Sequence, residues 1–374
     1  MPKAVLTSAA SKLRQFDSSR FNTLIGLDGF VDNIIDVVDK RIDSVNYTRV
    51  ETIDSLGDRI KRAAGLSSNL ELVVRQMKLG GNGPIMANAM LEAGCNVTYI
   101  GSIGREHPHP VFGEMASRCK AIYGLADPGH TDALEFQDGK LMLGKHQTLK
   151  EVNYERMLEV VGLPRIKEAW ASSHLIGLTN WTMLPFQTDI WKRLLKDTAG
   201  VKPPKGAILF VDLADPEKRP AAEIADACKM LKEFRGSHRV VLGVNQKESM
   251  EVSAALGLKF NADEIEANAV KLRTVLELDV VVIHPTASAA CATETGSAKL
   301  TGPYCANPKL TTGAGDNFNA GFCVGLLANL SAPELLASAT ASSGFYVRNA
   351  KSATSTELAA FLDQWTARHG DPAF

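Results

Sequence analysis

The sequence predicts an α/β fold, a mostly parallel sheet covered by helices on both faces. Three observations carry that expectation. From residue 174 onward, short apolar runs at 174–178, 207–211, 240–244 and 280–283 alternate with helical stretches near 185–197, 221–234, 246–257 and 262–276. Continuous apolar strands separated by helices are the pattern of a parallel sheet buried on both sides. A glycine-rich turn at 311–315 leads into an almost wholly apolar run (Phe318, Ala320, Phe322, Cys323, Val324, Leu326, Leu327), which reads as a loop opening a buried helix. Residues 132–145 alternate around Asp138-Gly139, a hairpin signal.

Composition bounds the function. The chain has 374 residues, 45% hydrophobic and 22% charged, enough for a large core in an ordinary globular protein. A formal net charge of -1 gives no electrostatic case for nucleic acid or an anionic membrane. No apolar run is long enough to span a bilayer, and the N-terminus lacks a signal-peptide core. Cys95, Cys119, Cys228, Cys291, Cys305 and Cys323 are scattered without a C-x-x-C pair. Buried thiols and a reducing cytoplasmic location are expected.

In chain order, residues 23–27 form the first buried strand, followed by Asp28, Gly29 and a second acidic position at Asp32. Each acid alone could be a turn residue. Residues 41–60 are polar with scattered apolar positions and are expected to project from the sheet. At 79–90 a Gly80-Gly81-Asn82-Gly83 turn runs into a helix closed by Gly94. The glycines let backbone approach a ligand, and the Asn82 amide offers donors and an acceptor to hydroxyls. A G-x-G-x-x-G dinucleotide fingerprint is absent. His107 and His109 flank Pro108 with no third ligand nearby, so a solvated loop is expected rather than a metal site. Gly139 to Lys145 misses the Walker A pattern because His146 stands where Ser or Thr is needed.

Sites in parallel sheets lie beyond the strand carboxyl ends. Three such ends are polar here: Thr179-Asn180, Asp212 to Asp215, and Asn245-Gln246-Lys247-Glu248. Asn at a helix N-cap with Glu three residues on is also a capping arrangement. The amides of Gly313, Ala314 and Gly315 are expected to point outward at the positive end of the helix, an anion site that bulkier residues would close. Asp316, in the first turn, is either dipole compensation or a base that takes a proton from an attacking hydroxyl. Ser331 with Glu334 opens the next helix through a capping box.

Taken together, Asp32, Gly81-Asn82, Asn245-x-x-Glu248 and Gly313-Ala314-Gly315-Asp316 resemble the ordered motifs of the ribokinase-like (PfkB) carbohydrate kinases. The resemblance implies a three-layer α/β/α sandwich over residues 22–365 with a small β lid, inserted at about 41–60 and 130–147. It implies transfer of the γ-phosphoryl group of ATP to a hydroxyl of a small sugar or polyol. Asp316 would be the base, with Gly313, Ala314 and Gly315 stabilising the phosphoryl charge. Asp32, with Asp28 in reserve, and Gly81, Asn82 and Asn180 would hold the acceptor. Asn245 and Glu248 would position Mg²⁺ through water, while Thr286, Thr312 and Asn349 would border the nucleotide. A homodimer formed through the lid is compatible with it. Three departures stand out. Arg105-Glu106 replaces the family's usual Gly-x-Asp ending; His284-Pro285-Thr286 replaces a Gly-rich nucleotide loop; and Leu310 stands at a position often Asp and associated with monovalent cations. An ADP-dependent sugar kinase, a nucleoside kinase and a non-catalytic sugar sensor on the same scaffold remain open as alternatives.

Overall fold

A computed structural model describes residues 2–371. The predicted strands are present as β1 (Asn22–Leu27), β5 (Asn96–Gly101), β9 (Leu175–Leu178), β10 (Ile208–Asp212), β11 (Arg239–Val244) and β12 (Val280–Ile283). They join β6 (Ala121–Gly124) and a C-terminal hairpin of β13 (Ser288–Thr293) and β14 (Gly296–Thr301) in one nine-stranded sheet. Its order is β14-β13-β12-β11-β10-β9-β1-β5-β6, parallel except for the antiparallel pairs β12/β13 and β13/β14. Neither β6 nor the edge hairpin was apparent from the sequence, because their alternation is broken by small residues.

The continuous apolar strands are explained by two cores. On β12, Val280 and Val282 face one helical layer while Val281 and Ile283 face the other. The first layer holds the helices Asn82–Glu92, Ala314–Leu327, Ala332–Asn349 and Ser355–Ala367. The second holds Leu163–Ser172, Gln187–Asp197, Ala221–Met230 and Ile265–Leu276. The result is the three-layer sandwich the resemblance implied.

A helix precedes the expected boundary at residue 22. The helix Pro2–Gln15 buries Leu6, Ala9, Ala10 and Leu13 against the C-terminal helices. It is tied there by Ser8 and Lys12, which donate to Glu334 of the capping box at 2.6 and 2.7 Å.

The lid is also larger than expected. Its five strands are β2 (Phe30–Arg41), β3 (Tyr47–Arg49), β4 (Leu72–Gly80), β7 (Gly129–Phe136) and β8 (Gly139–Lys145). Of residues 41–60, only β3 is a full strand, and the helix Ile53–Arg62 packs Leu56 onto a small lid core of Ile35, Val37, Val50, Leu134 and Phe136. The longest lid strands, β2 and β4, carry Asp, Asn, Lys and Arg among their apolar residues, so periodicity alone did not reveal them.

Candidate active site

The carboxyl ends of β1, β9, β10, β11 and β12 point the same way, toward the lid, and the candidate residues follow those ends. Beyond β1 the chain turns through Asp28 and Gly29 and immediately begins β2, so Asp32 lies inside a lid strand rather than at the end of the first strand.

The two acids have different surroundings. Asp28 is fully buried and accepts from the backbone N–H groups of Asn82 (2.9 Å) and Gly83 (2.8 Å) and from the Asn180 side-chain amide (2.7 Å). It therefore caps, from another strand, the helix that Gly81 opens with a φ of 92°. Its oxygens are committed to those donors, and it does not line the cavity. Asp32 does line the cavity; burial raises its carboxyl, opposed by the charge of Lys78. The Asn180 Oδ1 atom is buried without a partner in the chamber wall, an open acceptor.

At the other side stands the loop 311–316. Gly313 has a φ of 95°, and a Cβ there would meet the Tyr346 hydroxyl at 2.8 Å, so only glycine fits. That hydroxyl donates to the Thr312 carbonyl at 2.8 Å and braces the turn. The expectation of outward amides at 313–315 needs one correction. The Ala314 N–H donates to the Thr311 carbonyl at 3.1 Å, which closes the turn. Of the backbone N–H groups at 313–316, those of Gly313, Gly315 and Asp316 have no acceptor among the described residues, at the start of the helix Ala314–Leu327.

Asp316 is buried beside these amides. Burial pushes its carboxyl up to about 8, aided by Asp28 and Glu248 and opposed by the Asn82 amide, which donates to Oδ1 at 2.8 Å. Glu248 and Asn245 form a complete capping box: Asn245 accepts from the Glu248 N–H at 2.9 Å and Glu248 accepts from the Asn245 N–H at 2.8 Å. Glu248 also accepts from the Asp215 N–H at 3.0 Å, presented by two successive left-handed residues, Ala214 and Asp215. Burial raises the Glu248 carboxyl as well.

Asp212, noted in the sequence only as a polar strand end, belongs to the same cluster. It accepts from Asn319 at 2.6 Å and from the Ala214 N–H at 2.9 Å, and burial together with Glu248 and Asp316 holds its carboxyl well above the usual range. Three buried carboxylates in one wall repel one another, and because the oxygens of Asp212 and Glu248 already accept from amides, a divalent cation would be held there through water.

These walls enclose two chambers. One, of about 420 Å³, is lined by Phe30, Asp32, Asn82, Thr131, Asn180 and Asp316, with Met142, Gly144 and His146 from the lid side. The other, of about 390 Å³, lies between Thr286, Pro303, Tyr304, Phe318, Thr340 and Val347. They meet at Asn245, His284 and Gly315. Thr312 borders the first chamber and Thr286 the second. Asn349 borders neither. Its amide donates to the Phe345 carbonyl at 2.9 Å and it faces a separate surface hollow, because, two residues beyond Val347 and five beyond Gly344, it points to the other side of the helix from those two, which do reach the second chamber. Sequence reasoning assigned no role to Phe30, Thr131, His146 or Lys218 of the first chamber. Most come from the lid or the loop after β10, and only the folded sheet faces them inward. The described residues contain no His/Cys/Asp/Glu group arranged as a ready metal centre, and the H-x-H at 107–109 is a loop.

A family model described as prokaryotic ketohexokinase matches residues 4–365. A ketohexokinase of Haloferax volcanii is 27% identical over 365 residues, covering 96% of each chain. Among solved structures, phosphofructokinase-2 from Escherichia coli superposes with a TM-score of 0.61 at 14% identity, covering 92% of this chain and 99% of that one. A carbohydrate kinase from Agrobacterium tumefaciens gives 0.61 at 18% identity, covering 92% and 96%. A nucleoside kinase from Methanocaldococcus jannaschii gives 0.57 at 11%, covering 92% and 98%.

Proposed function

The chain belongs to the prokaryotic ketohexokinase family and is an ATP-dependent sugar kinase, and from that premise we propose that its acceptor is a ketohexose held in the chamber of Asp32, Asn82 and Asn180. The observation that carries this reading is the placement of Asp316. It lines a polar chamber of sugar size, one residue beyond Gly315 where that chamber meets a second, more apolar one, and beside unpartnered amides. The family match favours this reading over the ADP-dependent, nucleoside and sensor alternatives.

In the proposed mechanism Asp32 and the free Oδ1 of Asn180 accept from acceptor hydroxyls, while the Asn82 amide orients both sugar and base. Asp316 takes the proton of the attacking hydroxyl as the new O–P bond forms and the bond to the departing ADP breaks. The N–H groups of Gly313, Gly315 and Asp316 face the charge spreading over the phosphoryl oxygens. The adenine would lie against Phe318, Tyr304 and Val347, with Thr286 at the rim. Asp212 and Glu248, with Asn245, form the side suited to Mg²⁺, which would supply charge neutralisation of the polyphosphate. Because phosphoryl transfer asks for little covalent chemistry, positioning accounts for most of the rate.

The test is transfer from ATP with Mg²⁺ to a panel of ketohexoses and aldohexoses, with the phosphorylated carbon identified by phosphorus-coupled NMR. Preference for aldohexoses or for nucleosides would overturn the acceptor assignment.

A specific observation also favours a lid-to-lid homodimer. Among the described residues β4 is bonded only to β2, and it exposes Leu72, Val74 and Met77 at 44%, 50% and 52%. An uncovered edge strand with apolar side chains is a template for a second copy. A dimer by light scattering that Val74→Lys dissociates is expected; a monomeric wild type would overturn it.

A further inference from the structure

The lid contributes one charge that the mechanism above does not use. Lys140 is the second residue of β8, directly after the Asp138-Gly139 turn. Its cross-strand neighbour is Glu135, the natural ion-pair partner in an antiparallel hairpin. Glu135 is instead taken by Arg75 at 3.0 Å. The Lys140 ammonium turns the other way and donates to the hydroxyls of Thr312 and Thr311, the latter at 3.3 Å. These residues immediately precede the unpartnered amides of Gly313, Gly315 and Asp316.

The hairpin tip that aims this side chain is itself held. Asp138 accepts from the Ile53 N–H at 2.8 Å, at the start of the helix Ile53–Arg62, and the Gln137 N–H donates to the Glu51 carbonyl at 2.8 Å. Among the described residues no carboxylate pairs with Lys140. It is a full positive charge fixed on neutral hydroxyls at the mouth of an anion-binding loop, 171 residues away in sequence.

We propose that Lys140 is a further catalytic residue, a lid-borne cation that contacts the transferring phosphoryl group once the nucleotide is bound. Resting on the kinase reading, the step moves no proton through lysine. The acceptor proton goes to Asp316, the O–P bond forms, the bond to ADP breaks, and the ammonium offsets the negative charge on the phosphoryl oxygens. The two threonine hydroxyls hold the ammonium in place until an anion replaces them.

The test needs no acceptor sugar. Affinities for ADP with Mg²⁺, and for ADP with Mg²⁺ and beryllium fluoride as phosphoryl mimic, are measured by calorimetry on the wild type, Lys140→Met and Lys140→Arg. Lys140 is solvent-exposed, so both variants should fold, which their melting temperatures check. In Lys140→Met the fluoride complex is expected to weaken by about 10-fold or more with ADP affinity nearly unchanged, and Lys140→Arg to fall in between. Equal weakening of both ligands, or of neither, would reduce Lys140 to a structural latch and overturn the proposal. A wild type that binds neither ligand would overturn the kinase reading beneath it, which distinguishes the two failures.

Discussion

The side-chain amide of Asn82 donates to Oδ1 of Asp316 at 2.8 Å, joining residues 234 positions apart. One is at the first turn of the helix Asn82–Glu92 and the other at the first turn of Ala314–Leu327, so two helix N-termini converge on one point. The bond favours the ionised form of a carboxyl that burial otherwise raises. Asn82→Ala should therefore displace the rising limb of the kcat/KM pH profile to higher pH, besides raising the KM of the acceptor. A profile unchanged in position would show that Asn82 serves the sugar alone.

Asp316→Asn is expected to lower kcat by about 10³-fold or more while nucleotide affinity stays within a few-fold. Equal loss of both would sink its role as base. The same variant makes a stability prediction. A carboxyl raised to about 8 in the fold, against 3.8 when unfolded, stabilises the protein below the lower value and loses that contribution as pH rises through the upper one. The ligand-free wild type should therefore lose stability between pH 4 and 8 relative to Asp316→Asn. The gap should be on the order of a few kcal/mol at pH 8 and small at pH 4, read from melting curves.

The two glycines of the loop should respond differently. Gly313→Ala forces a side chain into positive φ and toward the Tyr346 hydroxyl, and is expected to cost about 1–3 kcal/mol in stability. At Gly315 a Cβ would meet nothing nearer than the His284 ring at 3.6 Å. Gly315→Ala should melt like the wild type yet bind nucleotide less well, because the methyl occupies the junction between the chambers. A normal nucleotide affinity would show that the junction has room to spare.

Asp28→Ala would strip the acceptor from two buried amides and release Asn180. A loss of about 2–4 kcal/mol in denaturant unfolding is expected. A neutral result would mean that the helix N-terminus finds another acceptor.

The sequence by itself determined the class of fold and the order of the chemical motifs. Apolar runs such as 280–283 can be buried only between two layers, and a stretch such as 311–327 can hardly be other than a tight loop opening a buried helix. Both are local facts, written in periodicity and in the backbone freedom of glycine. Capping was equally legible, since Asn245 with Glu248 and Ser331 with Glu334 make the reciprocal bonds their spacing allows. What only the tertiary structure decided were the contacts made across the chain. Sequence ranked Asp32 above Asp28 only through the resemblance, because both follow the same strand. The fold separated them by turning Asp28 under the amides of residues 82 and 83 and raising Asp32 into the lid. It spent the Ala314 amide on a turn, left Asn349 on the helix face turned away from the second chamber, and swung Lys140 from its cross-strand partner to the loop at Thr311 and Thr312. Each outcome depends on which donor reaches an acceptor first in space, and spacing along the chain carries no record of that.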